Sequence, residues 1–142
     1  GQYTLKDYRK ERRKLKRIAI RIQNSLQAEG VLSALKKNGG FIPYKLSTSK
    51  ASDTIVDCKA LEPDILLMAV SYLPEETIEN CLAISSAVRA EYPKCKIVFL
   101  CDENSFPELA EKIVSAKQDE KIDAFFYSST DGKYLAAVLS SL

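Results

Sequence analysis

The chain has no histidine and no tryptophan, and among its 142 residues only five are glycine and five proline. Without histidine there is no Ser-His-Asp or Cys-His catalysis, almost no catalytic zinc site and no histidine-based phosphotransfer. The scarcity of glycine and proline, with 46% apolar and 28% charged residues, excludes disorder, collagen-like repeats and low-complexity sequence. No apolar run reaches the roughly 20 residues that span a bilayer, and the N-terminus is polar and basic where a signal peptide would be apolar. A soluble cytoplasmic protein with no membrane contact is expected. The length suits one domain with one sizeable core. Four cysteines, Cys58, Cys81, Cys95 and Cys101, stand 23, 14 and 6 residues apart, with no Cys-x-x-Cys and no zinc-finger spacing. They read as buried, reduced thiols that pack as small hydrophobes. Neither metal nor cofactor is expected.

The formal charge of +2 conceals an asymmetry. Residues 1–21 carry nine Lys and Arg against Asp7 and Glu11, a balance of +7, leaving twelve basic and seventeen acidic residues, −5, for the rest. Residues 1–15 are read as a basic arm and 16–142 as a globular domain. The arm contains no Pro or Gly between Tyr3 and Arg17, so it can form a helix. Its Leu5, Tyr8 and Leu15 stand at roughly heptad positions, interrupted by Arg12. Three roles remain open for it: a short dimerising helix, a nucleic-acid-binding arm, or a charged linker to further domains of a longer protein.

Beyond the arm, strand-like apolar runs at Arg17–Ile22, Phe41–Leu46, Asp64–Val70, Lys96–Cys101 and Asp123–Tyr127 alternate with stretches whose apolar residues recur at helical spacing, such as Ile78, Leu82 and Leu109, Ile113. Residues 65–70 and 97–101 are apolar at consecutive positions, as expected of central strands covered on both faces. Strict alternation with right-handed crossovers predicts an α/β three-layer α/β/α sandwich around a five-stranded parallel sheet of order 2-1-3-4-5. Asn24 or Ser25 suits the cap of the first helix of the domain, Asn38-Gly39-Gly40 its end, and Thr130 or Asp131 the cap of the last helix. Leu73-Pro74-Glu75-Glu76 is expected to open the third helix, with proline near its first position and acids in its first turn. Ligands of such sheets bind beyond the carboxyl ends of the strands, which directs attention to Ile22, Gln23, Ala69, Ser71, Cys101, Asp102 and Ser128.

Four fragments, in this order, resemble one known family. They are Asn24-Ser25-Leu26-Gln27-Ala28-Glu29-Gly30-Val31, Pro63-Asp64-Ile65-Leu66-Leu67, Glu91-Tyr92-Pro93-Lys94-Cys95-Lys96-Ile97-Val98 and Ile122-Asp123-Ala124-Phe125-Phe126. Over nearly all of residues 16–142 the chain is similar to response-regulator receiver domains of the CheY-like, flavodoxin-like fold, with the closest likeness to LuxR-type receivers. Active receivers hold Mg²⁺ with an acidic pair after strand one, take phosphate on an aspartate ending strand three, and use a Ser/Thr after strand four and a lysine after strand five. A hard cation needs carboxylate oxygens, the nucleophile is an anionic oxygen, and a cation offsets the phosphoryl charge. Carried over, these positions fall on Ile22 and Gln23, Ala69, Cys101 and Ser128, and none of the five matches. No carboxylate lies between Asp64 and Glu75 or between Glu11 and Glu29 to restore the set by a shift of register.

The resemblance therefore implies a pseudo-receiver of a two-component or other regulatory protein. It would lack phosphorylation and catalysis, and would act by protein contact or homodimerisation. In receivers the output face is made by the fourth helix, fifth strand and fifth helix of the domain, which here carry Phe106, Leu109, Phe125, Tyr127 and Tyr134, with Phe125 at the position of the family's switching aromatic. Arg21 is the oddest residue of the core pattern. It either reaches solvent, pairs with an acid such as Asp102 or Glu103, or stands in the former pocket as a fixed positive charge or anion site. The alternatives are a phosphorelay regulator with atypical phosphorylation, in which Asp102 is the one acid near the pocket, and a flavodoxin-like small-molecule binder. Nucleic-acid binding by this domain is not expected, because no base-reading motif accompanies the arm.

Overall fold

In a computed structural model, which describes residues 1–102, 104 and 107–142 and leaves out the side chains of 10–14, five parallel strands alternate with helices. The strands are β1 (Lys16–Arg21), β2 (Phe41–Lys45), β3 (Ile65–Val70), β4 (Lys96–Cys101) and β5 (Ala124–Tyr127), in the order β2-β1-β3-β4-β5. The helices are α1 (Leu5–Lys14), α2 (Ser25–Asn38), α3 (Ala51–Leu61), α4 (Ile78–Glu91), α5 (Pro107–Gln118) and α6 (Gly132–Ser141). This is the expected three-layer sandwich, the family's five helices being α2 to α6. Among the described residues no helix is long and apolar enough to cross a membrane.

Period two along the strands divides their side chains between two cores. Ile18, Ile20, Ile22, Ile65, Leu67, Ala69, Val98 and Leu100 pack with Leu35 of α2 and Leu135, Ala136 and Leu139 of α6. Ala19, Leu66, Met68, Val70, Ile97, Phe99 and Cys101 pack with Cys58 of α3, Ile84 of α4 and Ile113 of α5. All six residues of β3 are buried, which is why its sequence is apolar at every position. Two aspartates close the opposite, amino-terminal edge of the sheet: Asp64 Oδ2 accepts from the Arg17 N–H at 2.8 Å, and Asp123 Oδ2 from the Ile97 N–H at 2.8 Å.

The caps follow the sequence. Asn24 accepts from the Gln27 N–H at 2.9 Å to begin α2, and Asp131 accepts from the Lys133 N–H to begin α6. Gly39 (φ 73°) and Gly40 (φ 89°) supply the left-handed turn that ends α2 and starts β2. Gly132 is required by packing: a Cβ there would stand 2.9 Å from the Cβ of Ala34, so α6 lies directly on α2. The arm is helical over α1, begun by a reciprocal cap in which the Thr4 N–H and hydroxyl donate to Asp7 Oδ2 and the Asp7 N–H donates to Thr4 Oγ1.

The segment after β3 departs from expectation. Pro74–Glu76 is a separate 3₁₀ turn, and the helix begins four residues after the proline at Ile78, capped by Thr77 accepting from the Asn80 N–H at 3.2 Å. The reason lies in Glu76, whose side chain turns inward and is 3% exposed instead of facing water at a helix start.

Candidate functional site

β1 ends in Arg21, paired in register with Met68, and the chain then turns through Ile22 and Gln23 into α2. Ile22 is buried in the α2/α6 core and cannot ligate a cation, and Ala69, one residue before the end of β3, points into the same core. Cys101 ends β4 opposite Val70 and Tyr127, and burial holds its thiol above the ordinary cysteine range. Ser128 is exposed just past β5, its N–H donating to the Cys101 carbonyl at 2.8 Å. Asp102 is also exposed, its carboxylate accepting from the Asn104 N–H at 2.9 Å in a tight loop turn. The five carried-over positions thus do gather at the carboxyl ends of the strands, and they bring apolar groups, a thiol, an amide and a hydroxyl there. Among the described residues no three Cys, Asp or Glu side chains come together as a group that could hold a metal ion.

The charge at this edge sits elsewhere. Alternation along β1 sends Arg21 to the α3/α4 side, where its side chain has no solvent exposure. Its Nε donates to Thr54 Oγ1 of α3 at 2.8 Å and its Nη1 to the Glu75 carbonyl at 2.6 Å, while Nη2 is buried without a hydrogen-bond partner among the described residues. Neither expectation of a snorkelling side chain nor of a pair with Asp102 is met, because Asp102 follows β4, with β3 lying between it and β1. Glu103 falls outside the described residues.

Beside Arg21 lies a buried carboxylate that the sequence reading passed over. Glu76 Oε2 accepts from the Gln23 N–H at 2.7 Å and Oε1 from the Ser71 hydroxyl at 2.9 Å, and the Glu76 carbonyl accepts from the Ser71 N–H at 2.8 Å. One side chain therefore ties the loop after β1 to the loop after β3. Both charges act on the thiol of Cys81 in α4: burial pushes it up to about 12, with Arg21 pulling down and Glu76 adding to the rise. Chemically this is a closed polar cluster of guanidinium, carboxylate, hydroxyls and backbone. It supplies charge and hydrogen bonds but no exposed nucleophile.

No family model matches the chain, and no curated protein matches it in sequence. Solved structures do match in shape. A LuxR-family DNA-binding response regulator from Staphylococcus aureus superimposes with a TM-score of 0.70 at 15% identity, over 89% of this chain and 98% of that one. The signal receiver domain of the response regulator NarL from Mycobacterium tuberculosis gives 0.69 at 15% identity, over 90% and 95%. A CheY-like receiver domain protein from Methanospirillum hungatei gives 0.69 at 13%, over 89% and 92%. The fold is that of a receiver domain.

In a receiver fold the fourth helix, fifth strand and fifth helix correspond here to α5, β5 and α6. Tyr127 is 40% exposed and stacks edge-on with Phe125 at 6.1 Å between ring centroids, and Tyr134, 61% exposed, meets Phe126 edge-on at 6.5 Å. Phe125 is half-buried against the α5 side. Leu109 must be removed from the expected interaction face: it is 3% exposed, an inward residue of α5 in the core. Phe106 lies outside the described residues. At the same edge the first turn of α2 exposes Leu26, and the loop after β3 exposes Tyr72 and Leu73.

Thr54 and the inward-turned Glu76 are what the sequence reading missed, while Ser71 was singled out only by its place at the end of β3. A signal for them existed in Arg21 itself, since a cation placed in a central strand must find acceptors on the next layer.

Proposed function

We propose that this chain is a pseudo-receiver: a signalling module, not a catalyst, that does not take phosphate by the aspartyl chemistry of the fold and acts through protein contacts within a regulatory protein. Residues 16–142 form the module and residues 1–15 its basic arm. The observation that carries this reading is the occupancy of the strand ends. Ala69 has no acceptor oxygen, Ile22 is core, and the buried Arg21 already supplies fixed positive charge beside β3, held by Thr54 and the Glu75 carbonyl. The loops that a metal and phosphate would bring under control are tied instead by Glu76 to the Gln23 N–H and the Ser71 hydroxyl. The exposed Tyr127 and Tyr134 favour the α5/β5/α6 face as the surface that meets a protein partner or a second copy. Buried, reduced thiols suit a cytoplasmic setting.

The test is an amide chemical-shift titration of the labelled protein with Mg²⁺ and then beryllofluoride, which mimics an aspartyl phosphate. No movement at Gln23, Ala69 or Cys101 is expected. Saturable shifts there would return the domain to phosphate-dependent signalling, with Asp102 the first residue to replace.

A further inference from the structure

Between α4 and α5 runs an open groove of about 510 Å³. Its floor is apolar and low, made by Ile78, Leu82 and the small Ala116, and its rim carries Glu108, Glu111 and Asp119. Of the basic residues on the rim, Lys112 is already engaged with Glu79 at 3.6 Å, so Lys121 alone faces these three acids. Elsewhere in the same chain is a segment of matching character. Helix α1 presents Leu5 and Tyr8, 62% and 50% exposed and three residues apart, on a helix that carries six Lys and Arg against two acids. Helical spacing puts Arg9 on the same face as Leu5. The dimensions agree as well: α1 has 10 residues, about 15 Å, and α5 has 12, about 18 Å, at 1.5 Å per residue.

We infer that the α4/α5 groove is the docking site for helix α1 of a second copy of this chain. The helix cannot reach the groove of its own domain, because Leu15 alone separates α1 from β1, and one residue spans only about 3.5 Å. Reciprocal exchange of the two arms closes a two-fold dimer in which each basic helix lies along the acidic rim of the other subunit, Leu5 and Tyr8 resting over Leu82 and Ala116. The attraction between exposed charges is screened over about 8 Å at physiological ionic strength, so the dimer must weaken with salt. This inference rests on the reading of the domain as a protein-contact module and names one such contact. It uses a face distinct from that of Tyr127 and Tyr134.

The test is sedimentation equilibrium of the full chain with two charge-reversed variants. In one, Glu108→Lys and Glu111→Lys make the groove basic; in the other, Lys6→Glu and Arg9→Glu make residues 5–9 of the arm, the part that carries Leu5 and Tyr8, acidic. All four positions are exposed, so folding is retained, and circular dichroism checks it. The native chain is expected to dimerise, with at least about tenfold weaker association at 1 M salt than at 0.1 M. Each variant alone is expected to be monomeric, while an equimolar mixture regains a dimer, because each arm then meets a groove of opposite charge. A native chain that stays monomeric, a dimer indifferent to groove reversal, or a monomer whose arm instead binds DNA would each overturn the inference. A run with Mg²⁺ and beryllofluoride separates this from the broader reading: a dimer that forms only with the phosphate mimic refutes the pseudo-receiver assignment, and a monomer under both conditions refutes only the groove.

Discussion

Ile18, Ile20 and Ile22 send their side chains toward α2 and α6, while Ala19 and Arg21, on the same strand, point toward α3, α4 and α5, and the two cores built on them differ in kind. The α2/α6 core is aliphatic throughout apart from Phe126 at its border, with no buried polar side chain in it. The other core holds all four cysteines, and beside them lie the chain's four buried polar or charged residues among those described, Arg21, Thr54, Glu76 and Ser85. Apolar packing alone is enough to hold a helix pair onto a sheet, as α2 and α6 demonstrate. Polar burial on the opposite side therefore serves something besides holding layers together. Three of the four, Arg21, Thr54 and Glu76, gather at the loops after β1 and β3, the edge at which receiver folds carry their chemistry, whereas Ser85 bonds back to the Cys81 carbonyl within α4.

The largest effect is expected from breaking that charged cluster. Arg21→Met fills the same space without the guanidinium, and leaves the buried Thr54 hydroxyl and the Glu75 carbonyl without their donor. Hydrogen bonds from a charged donor contribute about 1.5–3 kcal/mol each, so losing both costs about 3–5 kcal/mol. Urea denaturation should show that loss with an unchanged slope. If Arg21→Met is as stable as the parent, its bonds to Thr54 and the Glu75 carbonyl do not hold this side of the sheet. The matching substitution in the aliphatic core, Leu67→Ala, is expected to cost about 2–5 kcal/mol by cavity formation and to leave the shifts of Gln23 and Ser71 in place, whereas Arg21→Met should move both. Equal disturbance of those loops by both variants would erase the distinction between the faces.

A smaller effect sharpens the same point. Glu76→Gln keeps an acceptor for the Gln23 N–H and reverses the Ser71 contact, its amide now donating to the hydroxyl, so the loss is that of charge assistance in the two bonds, about 1 kcal/mol. Combined with Arg21→Met, the two losses should fall short of their sum to the extent that the two charges, both of which act on Cys81, also act on each other. Strict additivity in the double-mutant cycle would show that Glu76 ties the loops without reference to Arg21.

How far this arrangement can be read from the chain differs by element. β3 and β4 declare themselves, because a strand covered on both faces must be apolar at consecutive positions, and Asn24 and Asp131 mark helix starts by chemistry that is local. Glu76 does not declare itself. Pro-Glu-Glu reads locally as the first turn of a helix, and only the tertiary demand of the Gln23 N–H, more than fifty residues away, turns its side chain inward. Leu109 fails for the converse reason: helical spacing identifies an apolar position without saying whether the layer beneath it is core or a partner. The strand-end positions lie at the carboxyl edge of the sheet because topology dictates where the strands end. What fills the space between them depends on side chains arriving from α3 and the β3–α4 loop.

The smallest effect at neutral pH, and one that grows only in alkali, comes from the thiols of the polar side. Burial pushes Cys58 up to about 11 and Cys81 and Cys95 up to about 12, from an ordinary value near 9. In each case the native state holds the thiol protonated while the unfolded chain releases its proton near pH 9. The stabilising contribution is therefore complete below pH 9 and is lost as pH rises from there through 11 to 12, because the unfolded state alone gives up protons over that window. The melting temperature should be level from pH 7 to about 8.5 and fall more steeply than in a Cys81→Ala variant above pH 9. The Cys81 thiol should also react with a disulfide reagent only at the rate of opening of the α4 side. Parallel alkaline slopes for the two proteins would mean that Cys81 ionises as freely in the native state as in the unfolded one, and that the α4 side is open to water where the α2/α6 side is dry.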